Sequence, residues 1–250
     1  MSTATPTGLV LDRLVSGYRD LSVLHGLSLT VRPGSVHLVL GRNGAGKSTT
    51  VLTAAGLIPA TRGTVHVDGR DVTRLRAHRR VGAGLGLVQE NKRVLHQRTV
   101  EENLLIGGFT VRRDHELRRR RIEEQYVRFP ILGEFRERRA GDLSGGQQQM
   151  LAIAQALMGG PSQLMLDEPS AGLAPIVVEA VFAEIRRLAD AGLGVLLVEQ
   201  TLDRALAIAD EVSVVEDGRV VRSGDAATID RDAVRGVYLG TAAPKGAATP

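Results

Sequence analysis

Val36-His37-Leu38-Val39-Leu40 runs directly into Gly41-Arg42-Asn43-Gly44-Ala45-Gly46-Lys47-Ser48-Thr49. The apolar run predicts a buried strand, the glycines a tight turn, and the stretch from about Ser48 a helix. The turn has the spacing G-x-x-x-x-G-K-[ST] of a phosphate-binding loop, in the strand-to-helix setting that the motif needs. Glycines let successive backbone N–H groups converge on phosphate oxygens with no Cβ in the way. The helix start adds partial positive charge. Lys47 is placed to reach the β- and γ-phosphates of a nucleotide, and the Ser48 hydroxyl to ligate Mg2+. The bland alternative is a glycine turn with a chance lysine. Against it, only Lys47, Lys92 and Lys245 are lysines among 32 basic residues. A random cation here would be arginine, whose planar fork does not suit the cradle. Gly41, Asn43, Gly44, Ala45, Gly46, Lys47, Ser48 and Thr49 are the candidate nucleotide-binding residues of this loop.

On either side of the loop, strand and helix patterns alternate. Gly84 to Val88, Leu164-Met165-Leu166 and Val195-Leu196-Leu197-Val198 are further short apolar runs, as expected of central parallel strands covered on both faces. Met150, Ile153, Ala154, Leu157 and Met158 recur at helical spacing, as do Val181, Ile185 and Leu188. This alternation predicts an α/β fold with a parallel core. Leu9 to Leu14, Leu27 to Val31 and Val65 to Gly69 read as short strands of an antiparallel sheet. Val212 to Val215, Glu216-Asp217-Gly218 and Arg219 to Arg222 read as a hairpin. From Asn91 to Gly160 there is almost no strand pattern, and the segment reads as a charged helical insert. Thr241 to Pro250 reads as a disordered tail. Neither an internal repeat nor a coiled-coil heptad is present.

Composition narrows the classes. The 250 residues are 43% hydrophobic and 24% charged, ordinary for a globular protein with a full core. The absence of cysteine excludes disulfides, thiolate metal sites and a cysteine nucleophile. No apolar run approaches the ~18 residues of a membrane span. Met1 to Gly8 lacks the basic-then-apolar pattern of a secretory signal. The net charge is +4, unevenly spread: residues 70–139 carry 18 basic and 10 acidic side chains, the remainder 14 and 18. Such a basic middle suits nucleic acid, anionic lipid, an acidic partner, or a merely solvated helical face.

Two more motifs carry chemistry. Leu164-Met165-Leu166-Asp167-Glu168 is a strand ending in two carboxylates. Beside a phosphate-binding loop, Asp167 is placed as a Mg2+ ligand and Glu168 to orient or deprotonate a water attacking the γ-phosphate. Leu143-Ser144-Gly145-Gly146-Gln147 precedes a helix beginning near Gln148. Ser144 is a good cap, and the two glycines exceed what a cap needs, so backbone N–H groups of Ser144, Gly145, Gly146 and Gln147 form a second anion site.

Taken together, the loop at Gly41–Thr49, the Leu-Ser-Gly-Gly-Gln segment and Asp167-Glu168 resemble the nucleotide-binding subunit of ABC transporters, in that family's order and spacing, over roughly Leu9 to Gly240. The resemblance implies a P-loop NTPase core with a mixed sheet, an N-terminal antiparallel β-subdomain and an inserted helical subdomain. It implies one domain over residues 1–240, with the core at about 9–90 and 161–240, the helical part at about 91–160, and a tail at 241–250. It also implies ATP and Mg2+ as cofactors, Tyr18 stacking on adenine, and head-to-tail dimerisation with itself or a second ATPase subunit. Two membrane permeases and, indirectly, a periplasmic or extracellular substrate-binding protein are the implied partners. The chain would sit peripherally at the cytoplasmic membrane face.

Departures from the general pattern narrow the subgroup. Glu90 stands where the family usually has a Mg2+- and water-sensing Gln, with Gln89 one residue early, so both are candidates. The family's switch histidine is replaced by Gln200, since no His follows His115. A neutral amide still donates a hydrogen bond but carries no imidazolium charge. Ala174 replaces a frequent Asp. Glu90, Glu199-Gln200, Gly172-Leu173-Ala174-Pro175, Gln148 to Ile153 and Val237-Tyr238-Leu239-Gly240 are similar to the smaller ATPase subunit of branched-chain amino acid importers. Relatives of that subgroup serve urea and short-chain amide importers. Gln147, Glu90 to Arg93 and Gln155 differ from the subgroup's usual residues. A soluble DNA- or ribosome-acting ATPase of the family is disfavoured: Lys47 and Ser144 are 97 positions apart, with no room for a long coiled coil, and there is one cassette. A non-hydrolysing regulator is disfavoured by Glu168. The basic middle then serves membrane-proximal docking or is solvated, and no nucleic acid is bound.

Overall fold

The computed structural model describes residues 7–19, 21–90, 93–200, 202–232 and 236. Strands β1 (Leu9–Tyr18), β2 (Leu21–Val31), β4 (Ala60–Val67) and β5 (Arg70–Asp71) make an antiparallel sheet in the order β2-β1-β4-β5. A second sheet is built from β3 (Val36–Leu40), β6 (Leu85–Val88), β7 (Gln163–Asp167), β8 (Gly194–Val198), β9 (Glu211–Glu216) and β10 (Arg219–Asp225). Its order is β10-β9-β3-β8-β7-β6, parallel throughout except that β10 runs antiparallel to β9. The mixed sheet expected from the sequence is therefore present. Helix α1 (Lys47–Ala54) follows β3, and α2 (Ala77–Val81) precedes β6. Between β6 and β7 lie α3 (Val100–Gly107), α4 (His115–Arg128), α5 (Pro130–Glu134) and α6 (Gly145–Leu157). Helix α7 (Pro175–Asp190) joins β7 to β8, and α8 (Leu202–Leu206) joins β8 to β9.

Every residue of β3, β7 and β8 is buried, because alternate side chains feed two different cores. Leu38, Leu40, Leu166 and Leu197 pack with Leu151 of α6 and Ile185 of α7. Val39, Met165, Leu196 and Val198 point the other way, into a core shared with Val51 of α1 and Leu11, Leu27 and Val65 of the antiparallel sheet. Each such side chain contributes ~1.5–3 kcal/mol of apolar burial. A one-residue slip would exchange the two sets, so the register is strongly specified.

The structure extends several sequence-predicted elements. Strand β1 continues past Leu14 to Tyr18 because polar Ser16 is buried with partners: it accepts from the Thr53 hydroxyl at 2.8 Å and donates to the Pro59 carbonyl at 2.9 Å. Strand β2 begins at Leu21 rather than Leu27. The Val65–Gly69 stretch divides: Asp68 and Gly69 have φ of 47° and 80° and form a two-residue turn into β5. Asp217 and Gly218 make the same kind of turn, with φ of 45° and 69°, which gives the expected hairpin. Helix α6 starts at Gly145, three residues before Gln148. Among the described residues of the insert, helices are interrupted only by 3-10 turns, loops and one isolated bridge, Thr99 to Arg139. The sequence-predicted tail, Thr241 to Pro250, and the Val237–Gly240 motif lie outside the described residues. No described helix is long and apolar enough to cross a membrane.

Candidate active site

Strands β3, β8 and β7 are consecutive in the sheet. Their register sets Val39 beside Val198, and Val198 beside Asp167. The loops that leave their carboxyl ends therefore emerge side by side, where parallel α/β sheets place ligands. Those loops are Gly41–Gly46, Glu168–Ala174 and the Glu199-Gln200 step.

The Gly41–Gly46 loop has a shape that demands glycine at several positions. A Cβ on Gly41 would overlap the Val215 carbonyl. Gly44 and Gly46 have φ of 83° and 107°, which side chains rarely adopt. A Cβ on Gly44 would meet nothing within 4 Å, so this glycine opens onto free space. The hairpin turn braces the loop from outside: Gly218 donates to the Ala45 carbonyl at 2.9 Å and accepts from His25 N–H at 3.0 Å. A cavity of about 210 Å3 lies beside the loop, lined by Arg42, Asn43, Gly44, Ala45, Val215, Glu216 and Asp217.

Lys47 is buried, and its Nζ donates to the carbonyls of Gly41 at 2.9 Å and Arg42 at 3.2 Å. Glu168 Oε1 lies 3.9 Å away. Burial pulls the Lys47 pKa below its ordinary value, while the charges of Glu168, Asp167 and Glu199 pull it back up. The Ser48 hydroxyl donates to Asp167 Oδ1 at 3.2 Å. Burial pushes Asp167 up to about 6, opposed by the Ser48 hydrogen bond and reinforced by the charges of Glu168 and Glu90. Thr49, next in α1, is buried.

Glu168 sits in the left-handed region with φ of 51°. Gln200 Nε2 donates to both of its carboxylate oxygens, at 2.6 Å each. The Gln200 amide is thus directed at the Glu168 carboxylate. Glu199 is 1% exposed and accepts from Ser170 N–H at 2.9 Å, Ser170 Oγ at 2.8 Å and Gln200 N–H at 3.1 Å.

Gln89 and Glu90 follow the end of β6 at Val88 and face different surroundings. Glu90 is exposed and its charge reaches Asp167. Gln89 lines a separate small cavity with Arg93, Ala152 and Gln155. Tyr18, at the end of β1, is 48% exposed with its ring open to solvent. Ser144, Gly145, Gly146 and Gln147 form a reciprocal capping box rather than joining Lys47 and Asp167. Gln147 N–H donates to Ser144 Oγ at 3.3 Å, and Ser144 N–H donates to Gln147 Oε1 at 2.9 Å. A Cβ on Gly146 would overlap Val177 of α7, so one of the surplus glycines serves helix packing. Sequence reasoning missed Glu199, Ser170 and Gly218. The S-x-x-Q spacing announces the capping box; nothing local announces the other three.

These oxygen donors suit Mg2+. Among the described residues no three His, Cys, Asp or Glu side chains cluster to hold a metal on their own. Mg2+ characteristically takes one or two protein oxygens and completes its shell with phosphates and water, and Ser48 with Asp167 supplies such a pair.

The sequence and the fold both have known relatives. The family model described as ABC transporter matches residues 24–171. A high-affinity branched-chain amino acid transport ATP-binding protein, BraG of Pseudomonas aeruginosa, is 41% identical over 234 residues, covering 93% of this chain and 99% of the relative. A probable branched-chain amino acid transport ATP-binding protein, LivF of Archaeoglobus fulgidus, is 40% identical over 215 residues, covering 86% and 90%. The lipopolysaccharide export ATP-binding protein LptB of Haemophilus influenzae is 32% identical, covering 93% and 97%. Among solved structures, a nucleotide-free ATP-binding cassette from an ABC transporter superposes with a TM-score of 0.82 at 27% identity, covering 96% and 97%. With the strand-end site, the family match and these near full-length relatives in agreement, the chain belongs to the ABC transporter family of ATP-binding cassettes, whose members hydrolyse ATP.

Proposed function

We propose that this ATPase energises the uptake of branched-chain, hydrophobic amino acids through membrane permease partners. The observation that carries the solute is the 41% identity to BraG against 32% to LptB. In this reading ATP enters with its phosphates on the N–H groups of Gly41 to Thr49, and Tyr18 stacks on adenine. Lys47 exchanges the Gly41 and Arg42 carbonyls for phosphate oxygens. Ser48 and Asp167 hold Mg2+, with Glu90 rather than Gln89 facing it. When bound, Mg2+ neutralises charge developing on the phosphates. Glu168 accepts a proton from the attacking water, and Gln200 fixes the rotation of its carboxylate. The solvent-facing cap at Ser144–Gln147 offers its backbone N–H groups to the ATP of a second, head-to-tail subunit. The cassette is placed at residues 1–240, with its helical part at about 91–160 against two permeases at the cytoplasmic membrane face. A substrate-binding protein outside the membrane delivers the solute.

Phosphate release from Mg-ATP tests the reading. With the permeases and binding protein in proteoliposomes, leucine, isoleucine or valine should stimulate release. Stimulation by urea or acetamide would reassign the solute, and no phosphate release under any condition would overturn the ATPase reading. Glu168→Gln should abolish turnover while leaving ATP binding intact. Gln200→Ala should lower kcat roughly 10-fold or more with a smaller change in KM; unchanged turnover removes Gln200 from the site.

A further inference from the structure

Glu168 holds a backbone conformation that L-residues avoid, with φ of 51°. Such a conformation is disfavoured, so its surroundings must hold it there. The restraint comes from the end of β8. Glu168 N–H donates to the Val198 carbonyl at 2.9 Å, and the Gln200 amide grips the Glu168 carboxylate. Between them, Glu199 reaches across to the residue two places past Glu168. One of its oxygens takes Ser170 N–H; the other takes Ser170 Oγ and Gln200 N–H. Glu199 is 1% and Ser170 8% exposed. A carboxylate buried this deeply is costly unless its hydrogen bonds are made. Here they fasten the Ser170 end of the three-residue turn Glu168-Pro169-Ser170, while Gln200 holds its Glu168 end.

We propose that Glu199 is a positioning residue for ATP hydrolysis, fixing the Glu168–Ser170 turn so that the Glu168 carboxylate stays on the attacking water. The proposal rests on Glu168 being the proton acceptor. Without the Glu199 carboxylate, Ser170 N–H is left buried and the turn relaxes towards ordinary φ, carrying Glu168 off line. A displacement of about 1 Å is enough to cost on the order of 100-fold in rate. Glu199 bonds to Ser170 and Gln200 and its charge reaches Lys47, so the loss in turnover should exceed any change in nucleotide binding.

Phosphate release and ATP binding are measured on the full chain for wild type, Glu199→Gln, Ser170→Ala, the double variant and Glu168→Gln. Glu199→Gln, with one acceptor oxygen lost, should lower kcat roughly 10- to 100-fold, with ATP binding and KM within about twofold of wild type. Ser170→Ala, a smaller perturbation that keeps the fold, should lower kcat less and leave KM unchanged. The double variant should be no slower than Glu199→Gln alone, because both remove one contact. Wild-type kcat in Glu199→Gln, parallel loss of ATP binding, or multiplied effects in the double variant would overturn the proposal. Glu168→Gln separates the two claims. If it hydrolyses normally, the proton-acceptor reading falls and this proposal with it. If it is dead while Glu199→Gln is normal, only the positioning role falls.

Discussion

At the scale of single residues, burial dictates behaviour far from the nucleotide as well as at it. His37, buried on β3, lies with Nδ1 2.8 Å from the Thr30 carbonyl and Nε2 2.9 Å from Ser213 Oγ. A carbonyl only accepts, so Nδ1 carries the proton and Nε2 accepts from the serine. Burial lowers the His37 pKa from 6.5 to about 4, against the Thr30 hydrogen bond, which raises it. The unfolded chain therefore binds the His37 proton first. Its contribution to stability is full above pH 6.5 and is lost as pH falls towards 4, ~3 kcal/mol in all. Asp167, held up at about 6, runs the opposite way and gains stability as pH falls from 6 towards 3.8. Urea midpoints of wild type and His37→Leu between pH 7 and 4.5 isolate the histidine: the wild type should lose more stability on acidification, and equal slopes would refute the assignment. The loop residues were legible in the sequence because nine adjacent positions carry the whole motif. The Gln200–Glu168 contact was not, because it joins positions 32 apart through a strand pairing that no local pattern encodes.

At the scale of elements, the helix after the phosphate loop is anchored at its far end by a buried cation. Arg80 of α2 is 2% exposed. It donates to the carbonyls of Thr53 at 2.9 Å, Ala54 at 2.7 Å, Thr73 at 2.6 Å and Leu75 at 3.0 Å. Two of those are terminal carbonyls of α1; Thr53 also accepts from Gly56 N–H at 3.0 Å. Gly56 is required here, since a Cβ would press on the Arg80 guanidinium at 2.6 Å. Arg80→Met keeps much of the volume and removes four hydrogen bonds to backbone carbonyls. It should destabilise the fold by ~2–4 kcal/mol in urea titration, and a loss below the resolution of that titration would show the carbonyls find other partners. Continuous apolar runs made β3, β7 and β8 readable. Strand β1 was read too short because Ser16 is polar, and only the Thr53 and Pro59 contacts, 37 and 43 residues away, make that polarity compatible with burial.

At the scale of the molecule, several cations of the basic middle are engaged in its own fold. Arg128 of α4 pairs with Glu184 of α7 at 2.8 Å, tying the helical insert to the core. Arg98, Arg120 and Arg136 have carboxylate neighbours within 4 Å, and Arg121 donates to the Met158 carbonyl at 2.8 Å. Phosphate-backbone binding needs an array of uncommitted cations. Duplex DNA should therefore show no salt-sensitive, length-dependent retardation with this protein at physiological ionic strength, and observing it would reverse the reading of the charge. The position of β3 has a different kind of consequence. Its two sheet neighbours are β8 and β9, made of residues 194–198 and 211–216, and the Gly218 turn then clasps the phosphate loop. During synthesis, the strand bearing that loop waits for some 150 residues of chain before either neighbour exists. Long-range pairing of this kind is slow to form, and a nascent chain halted short of the last hairpin holds the whole loop sequence without its frame. Capture of nucleotide by ribosome-bound chains would thus mark emergence of the hairpin that carries Gly218.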